Sequence, residues 1–298
     1  MSAMLKRALI ALALLVGLGA AGVPLVERVG AHSIVDAPNH DREVPPPTAG
    51  EQRFAVGPPA AILSVAVVEP VSPSPPRGVI FLLHGIRSHK EALSAWGREL
   101  SRHGYRAVLV DSRGHGHSTG EWLTYGVQES RDLSQLLDQM HLAPSLPVGV
   151  MGVSYGAAEA IEWAGREPRV GAAVALAPFT SMRQVVALYT PRTVPLVGRF
   201  MPAGLIQATV DRAGALAGFD PDEASPRDAI TLRDEPLLIF HGTADAHIPL
   251  AQSQELQARA PTHTRLVLLD GQDHNHIAGD RRLWPAVLDF FDAAFKTP

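Results

Sequence analysis

Apolar and polar positions alternate along this chain in a regular rhythm. Residues 62–69 (ILSVAVVE), 78–85 (GVIFLLHG), 106–114 (RAVLVDSRG), 147–154 (PVGVMGVS) and 170–178 (VGAAVALAP) are short runs rich in aliphatic and β-branched residues, and they predict strands. Between them, residues 91–104, 127–141 and 155–167 place apolar residues at helical spacing. The rhythm resumes with a strand at 235–245 (EPLLIFHGTAD), another at 264–271 (TRLVLLDG) and a closing helix at 281–295. Continuous apolar strands separated by helices are buried on both faces. This predicts an α/β fold built on a doubly wound, mostly parallel sheet.

The rhythm is interrupted once, between the strand ending near 177 and the strand starting near 236. The intervening segment, 179–228, is apolar, aromatic and broken by proline, and it predicts a helical cap inserted over the strand ends. Ligands in such sheets bind beyond the C-terminal ends of the strands, where His84-Gly85, Asp111-Ser112-Arg113 and Ser154 fall.

The N-terminus follows another pattern. Lys6 and Arg7 precede nineteen uncharged residues, 8–26. That run is long enough to span a bilayer, and its glycines and Pro24 also suit a cleaved signal, so residues 1–31 are read as a membrane anchor or signal segment. Basic residues before the run place the main domain on the extracytoplasmic side. Residues 32–51, which include REVPPPTAGE, read as a proline-rich tether, and 52–298 as one large domain.

Composition narrows the chemistry. Among 298 residues there is no cysteine, which excludes disulfides, thiolate metal sites and a cysteine nucleophile. A net charge of −4 without a basic run argues against nucleic acid as a partner. Histidines 115, 117, 274 and 276 lack an accompanying ligand set, so no metal and no other cofactor is expected.

The stretch GVSYG, 152–156, lies where a strand turns into a helix. Glycines two residues either side of Ser154 remove side chains that would clash in such a turn, and leave Ser154 as either an exposed nucleophile or a turn serine. A serine hydroxyl needs a base and a carboxylate to orient that base. Asp245 follows the penultimate strand and His274 the last, at intervals of 91 and 29 residues from Ser154 and Asp245 respectively. The chain order Ser, Asp, His is that of α/β-hydrolase triads.

Over residues 60–298 the sequence resembles the α/β-hydrolase superfamily, in particular its serine hydrolases and serine aminopeptidase-like members. The resemblance is carried by HGIRS, DSRGHGHSTG, TYGVQESRD, GVSYG, PLLIFHGTADAHIP and GQDHNH, in that order. It implies Ser154 as nucleophile, His274 as general base and then acid, and Asp245 as the orienting carboxylate. It also implies the backbone N–H groups of Ile86 and Tyr155 as the oxyanion hole. The Gly-x-x-His spacing from Gly271 selects His274 over His276, and the HG-x-x-D position selects Asp245 over Asp270, Asp273 and Asp280. His84 reads as a brace for the oxyanion loop. Arg87 and Arg113 read first as loop-bracing residues and second as groups facing an anionic substrate.

The function expected is hydrolysis of an ester, less readily an amide, through an acyl-enzyme. Met182, Tyr189, Phe200 and Met201 in the insertion suggest a hydrophobic or acyl-type small-molecule substrate. The alternatives are a serine peptidase of the same fold, for which Glu159 and Glu162 are too weakly placed to supply the acids that bind a substrate amine, or a non-catalytic binding module. The sequence implies no particular oligomeric state.

Overall fold

A computed structural model describes residues 27–39, 50–72, 74–193 and 198–296. Eight strands form one sheet: β1 (Glu51–Val56), β2 (Ala61–Val68), β3 (Val79–Leu83), β4 (Arg106–Val110), β5 (Val148–Val153), β6 (Val170–Leu176), β7 (Leu237–Gly242) and β8 (Thr264–Leu269). Their spatial order is β1-β2-β4-β3-β5-β6-β7-β8. β2 runs antiparallel to both β1 and β4, and the pairs from β4 through β8 are parallel. The winding reverses at β3, which is flanked by β4 and β5. The ends of β3 and β5 therefore form the switch point where such sheets bind ligands.

β3, VIFLL, is buried throughout. Val79, Phe81 and Leu83 face one core, while Ile80 and Leu82 face the other, the period-two alternation of a strand covered on both sides. Each such side chain stabilises the fold by roughly 1.5–3 kcal/mol. The first core is closed by helices α3 (Val127–Gln139), α4 (Tyr155–Arg166) and α8 (Ala251–Arg259). The second is closed by α2 (Ser94–Arg102) and α9 (Trp284–Ala294), with Trp96, Leu100, Val287 and Phe291 as its anchors.

The insertion between β6 and β7 contains α5 (Met182–Thr193), α6 (Ala203–Ala217) and the short α7 (Pro226–Ala229). Met182 and Val185 from α5 pack with Ile206, Val210 and Ala213 from α6, over Tyr125, Tyr155 and Phe179. This is the expected helical cap.

Three elements went unseen in the sequence. β1 is an edge strand whose residues are mostly exposed or half-buried, so no apolar run marks it. α8, AQSQELQAR, buries Gln252, Ser253 and a single aliphatic, Leu256. The third, α1, spans residues 27–35, inside the segments expected to be anchor and tether.

That expectation is corrected for residues 27–39. Ala31, Val35 and Ala37 are buried in the cap core, and Gly30 lies against Thr209 of α6. The backbone is stitched to the loop after β4 by Leu123 N–H donating to Val35 O (2.7 Å), Ala37 N–H to Glu121 O (3.2 Å) and Asn39 N–H to Gly114 O (3.2 Å). Small residues and paired backbone groups make this segment part of the folded body, whatever its polarity suggested. The apolar run 8–26 and the prolines of 40–49 lie outside the described residues. Among the described residues, no helix is long and apolar enough to cross a membrane.

Candidate active site

Ser154 is the single residue between β5 and α4. Its backbone is in the left-handed half of the map, φ 54° and ψ −109°, a conformation that costs a residue with a Cβ on the order of 1–3 kcal/mol. The surroundings enforce it. A Cβ on Gly152 would collide with the carbonyl of Gly156, and one on Gly156 with the carbonyls of Leu83 and His84. The two glycines thus let β5, α4 and the end of β3 approach closely, while Ser154 N–H is tied to Leu176 O of β6 at 2.8 Å.

Beyond β7, Asp245 starts a turn in which its Oδ1 accepts the N–H groups of His247 and Ile248, both at 2.8 Å. Its Oδ2 accepts from His274 Nδ1 at 2.6 Å, and His274 Nε2 lies 3.0 Å from Ser154 Oγ. Because the carboxylate only accepts, Nδ1 carries the hydrogen and Nε2 faces the serine hydroxyl as an acceptor. Burial pushes the Asp245 carboxyl up, but the His274 hydrogen bond and the two amides overcome it and hold its pKa below the usual aspartate value. The structure therefore brings Ser154, His274 and Asp245 into one relay.

The competing residues are placed elsewhere. His276 is exposed and bonded to Asp273 at 2.8 Å, Asp270 bonds Thr243, and Asp280 pairs with Arg282. His115 is buried beside His84, with ring centroids 5.0 Å apart, and His117 bonds Glu51 at 2.9 Å. Among the described residues no group of three His, Asp or Glu is arranged to hold a metal.

The loop after β3 reaches Ser154. A Cβ on Gly85 would sit 3.8 Å from the Cβ of Ser154, so this loop passes close to that residue. Tyr155 is the first residue of α4, so its N–H has no intrahelical acceptor and lies at the positive end of the helix. Beneath this loop His84 is fully buried. Its Nδ1 donates to Gly85 O (2.8 Å) and its Nε2 accepts from Ser112 N–H (3.2 Å). Burial, reinforced by His115, lowers its pKa to about 4, so it is a neutral brace.

Several contributors were not foreseen as such. Glu129, 2 % exposed, gathers four hydrogen bonds. Its carboxylate accepts from Thr124 N–H, Thr124 Oγ1 and Gly126 N–H, and also from the Tyr155 hydroxyl at 2.9 Å. The same hydroxyl accepts Tyr125 N–H at 3.0 Å. One carboxylate thus caps α3 and grips the residue after Ser154. The capping position of Glu129, three residues after Gly126, was the available signal. His247 packs its ring 5.2 Å from that of His274, and Arg192 of the cap donates to the carbonyls of His247 and Ala246. His247 lies within PLLIFHGTADAHIP without having been singled out, and no motif marked Arg192.

A doubly wound sheet with a serine elbow at its switch point and histidine and aspartate on the loops after its last two strands defines an α/β-fold serine hydrolase. Residues 74–231, more than half of the chain, match the hydrolase family described as serine aminopeptidase, S33, and the chain belongs to that family. It is 26% identical to a monoacylglycerol lipase of Mycolicibacterium smegmatis over 225 residues, covering 70% of this chain and 75% of that one. It is 23% identical to the uncharacterized protein YqkD of Bacillus subtilis over 208 residues, covering 68% and 67%. Among solved structures, an esterase of Pyrococcus furiosus superposes with a TM-score of 0.65 at 18% identity, covering 85% of this chain and 98% of that one. Est1E of Butyrivibrio proteoclasticus with bound ferulic acid superposes at 0.61 and 17% identity, covering 82% and 100%.

Proposed function

We propose that the chain is a carboxylic ester hydrolase acting through Ser154, His274 and Asp245. The observation that carries this reading is the relay of 3.0 and 2.6 Å from hydroxyl to imidazole to carboxylate. Ser154 Oγ attacks the ester carbonyl carbon while its proton passes to His274 Nε2, and Asp245 stabilises the resulting imidazolium. The N–H groups of Ile86 and Tyr155 take the oxyanion. Collapse of the intermediate expels the alcohol, which receives the proton from His274, and water then releases the acid by the same steps in reverse. The apolar cap and the likeness to a monoacylglycerol lipase support an acyl-type substrate. The peptidase alternative is weaker, because Glu159 and Glu162 are fully buried in α4 and offer no carboxylate to a substrate amine.

The run 8–26 after Lys6 and Arg7 belongs to the same proposal, as a segment that carries the domain out of the cytoplasm. Cell fractionation tests that part. Hydrolysis of p-nitrophenyl esters from acetate to palmitate, by the full chain and by Ser154→Ala, tests the whole. Turnover lost in the variant is the expected result; equal turnover in both proteins refutes the mechanism.

A further inference from the structure

β7 ends in Phe240-His241-Gly242, and the mechanism gives His241 no task although Asp245 follows it closely. The ring is fully buried, a costly place for an imidazole unless both nitrogens are paired. Nε2 lies 2.9 Å from Ile248 O, and Nδ1 lies 2.6 Å from Ser253 Oγ. Because the carbonyl only accepts, Nε2 carries the hydrogen and Nδ1 accepts from the serine hydroxyl. Burial lowers the pKa of the ring, against the Ile248 bond and the Asp245 charge, which agrees with the neutral form these partners require.

Both partners lead somewhere. Ile248 donates its own N–H to Asp245 Oδ1 at 2.8 Å, so the residue whose amide holds the carboxylate has its carbonyl held by His241. Ser253 is fully buried in the first turn of α8. A continuous chain of hydrogen bonds thus runs from Ser253 through His241, Ile248, Asp245 and His274 to Ser154, with lengths of 2.6, 2.9, 2.8, 2.6 and 3.0 Å. His241 Nε2 also stands 3.5 Å from Asp245 Oδ2, the oxygen that receives His274, and its N–H dipole favours negative charge there.

We propose that His241 is a positioning residue of the active site, fixing the Asp245 turn to α8 through Ser253 and so setting the carboxylate against His274. This rests on the ester-hydrolase reading and adds to that reaction a residue that touches neither substrate nor reacting atom. A carboxylate that orients a base must itself be oriented, and Asp245 sits on a turn beyond the sheet. His241 lies within β7, so it carries the rigidity of the strand out to that turn.

The test separates positioning from packing, using the full chain and p-nitrophenyl butyrate. His241→Phe keeps the bulk of the ring and removes both hydrogen bonds; kcat should fall about tenfold with KM within about twofold. His241→Gln, whose amide can donate where Nε2 does, should recover part of that loss, and Ser253→Ala should cost about threefold. The deciding arm repeats His241→Phe in an Asp245→Asn background. A residue acting through Asp245 has little left to act on there, so the further fall should be below about twofold. The same tenfold fall in both backgrounds, or unchanged kcat in the first, would overturn the proposal. If His241→Phe does not fold, Ser253→Ala carries the same cycle, and its effect must likewise vanish beside Asp245→Asn.

Proton NMR needs no turnover. The His274 Nδ1 hydrogen, in its 2.6 Å bond to Asp245, is expected far downfield and is assigned by its loss in Asp245→Asn. In His241→Phe and Ser253→Ala it should move upfield or broaden; an unchanged resonance in both contradicts the proposal. A wild type without ester turnover but with a resonance that depends on His241 would sink the hydrolase reading and leave the positioning role. Turnover that both variants leave unchanged does the reverse.

Discussion

The two flanks of Ser154 are built in opposite ways. On one flank, the loops after β7 and β8 hold His274 and Asp245 through two amides, two neighbouring imidazoles (His247, and the buried His241 whose Nε2 lies 3.5 Å from Asp245 Oδ2) and a cap arginine bound to the turn. On the oxyanion flank, the loops after β3 and β4 rest on a buried polar scaffold. It includes Lys90 Nζ on Asp111 at 2.7 Å, Arg113 on Asp132, His84 between Gly85 and Ser112, and Glu129 on Tyr155. Burial alone works against the Lys90 charge, and Asp111 and Glu91 hold its pKa above the usual lysine value. Oxyanion donors stabilise charge only if they are fixed before it develops, which a dense network of paired ions achieves at a cost in desolvation.

The sharpest way to break this contrast is to remove one member of a buried pair. Asp132→Ala leaves the Arg113 guanidinium buried without its carboxylate, and urea unfolding should show a loss of about 3–5 kcal/mol. A loss below ~1 kcal/mol would mean that the scaffold is not what fixes this flank.

Glu129→Gln is milder. Each carboxylate oxygen accepts an N–H group, Thr124 N–H on one and Gly126 N–H on the other, so either orientation of the amide faces donor against donor. The expected result is a fall in kcat of roughly ten- to a hundredfold with KM little changed, because the grip on Tyr155 matters most when the oxyanion forms. Loss confined to KM would place Glu129 in substrate binding instead.

The smallest effect is a pH slope. Burial raises the Glu159 pKa well above the usual glutamate value, so the folded state keeps a proton that the unfolded chain releases. Stability from this group is therefore complete below the unfolded pKa of about 4.3 and declines as pH rises above it, by up to about 1.4 kcal/mol per unit until the folded pKa is passed. His84 acts oppositely: with its folded pKa lowered to about 4, stability is lost as pH falls from about 6.5 towards that value. Glu159→Gln should flatten the alkaline decline, read from unfolding midpoints between pH 5 and 9, and leave the acid limb in place. An unchanged alkaline slope would show that Glu159 is ionised in the fold.

The contrast also explains what the sequence disclosed. The acid-base flank is set by position along the chain, a residue a fixed distance beyond a strand, and strands such as LLIFHG and TRLVLL announce themselves by apolar runs. Gly152 and Gly156 were legible for a related reason, since one tight turn demands both. The oxyanion flank is set by side chains that meet across the fold. Lys90 and Asp111, Arg113 and Asp132, and Glu129 and Tyr155 pair at separations of 21, 19 and 26 residues, and no local pattern encodes these pairings. α1 escaped notice because its burial uses small residues, Ala31 and Val35, against a cap whose surface only the folded chain presents.

The central claim is that Ser154 is a nucleophile activated by His274. It is tested most directly by reacting the full chain with a fluorophosphonate and locating the adduct by peptide mass spectrometry, beside a His274→Ala variant. A single adduct on Ser154, formed quickly in the wild type and at least a hundredfold more slowly in the variant, is the predicted result. No adduct on folded wild-type protein, or equal labelling rates in the two proteins, would contradict it.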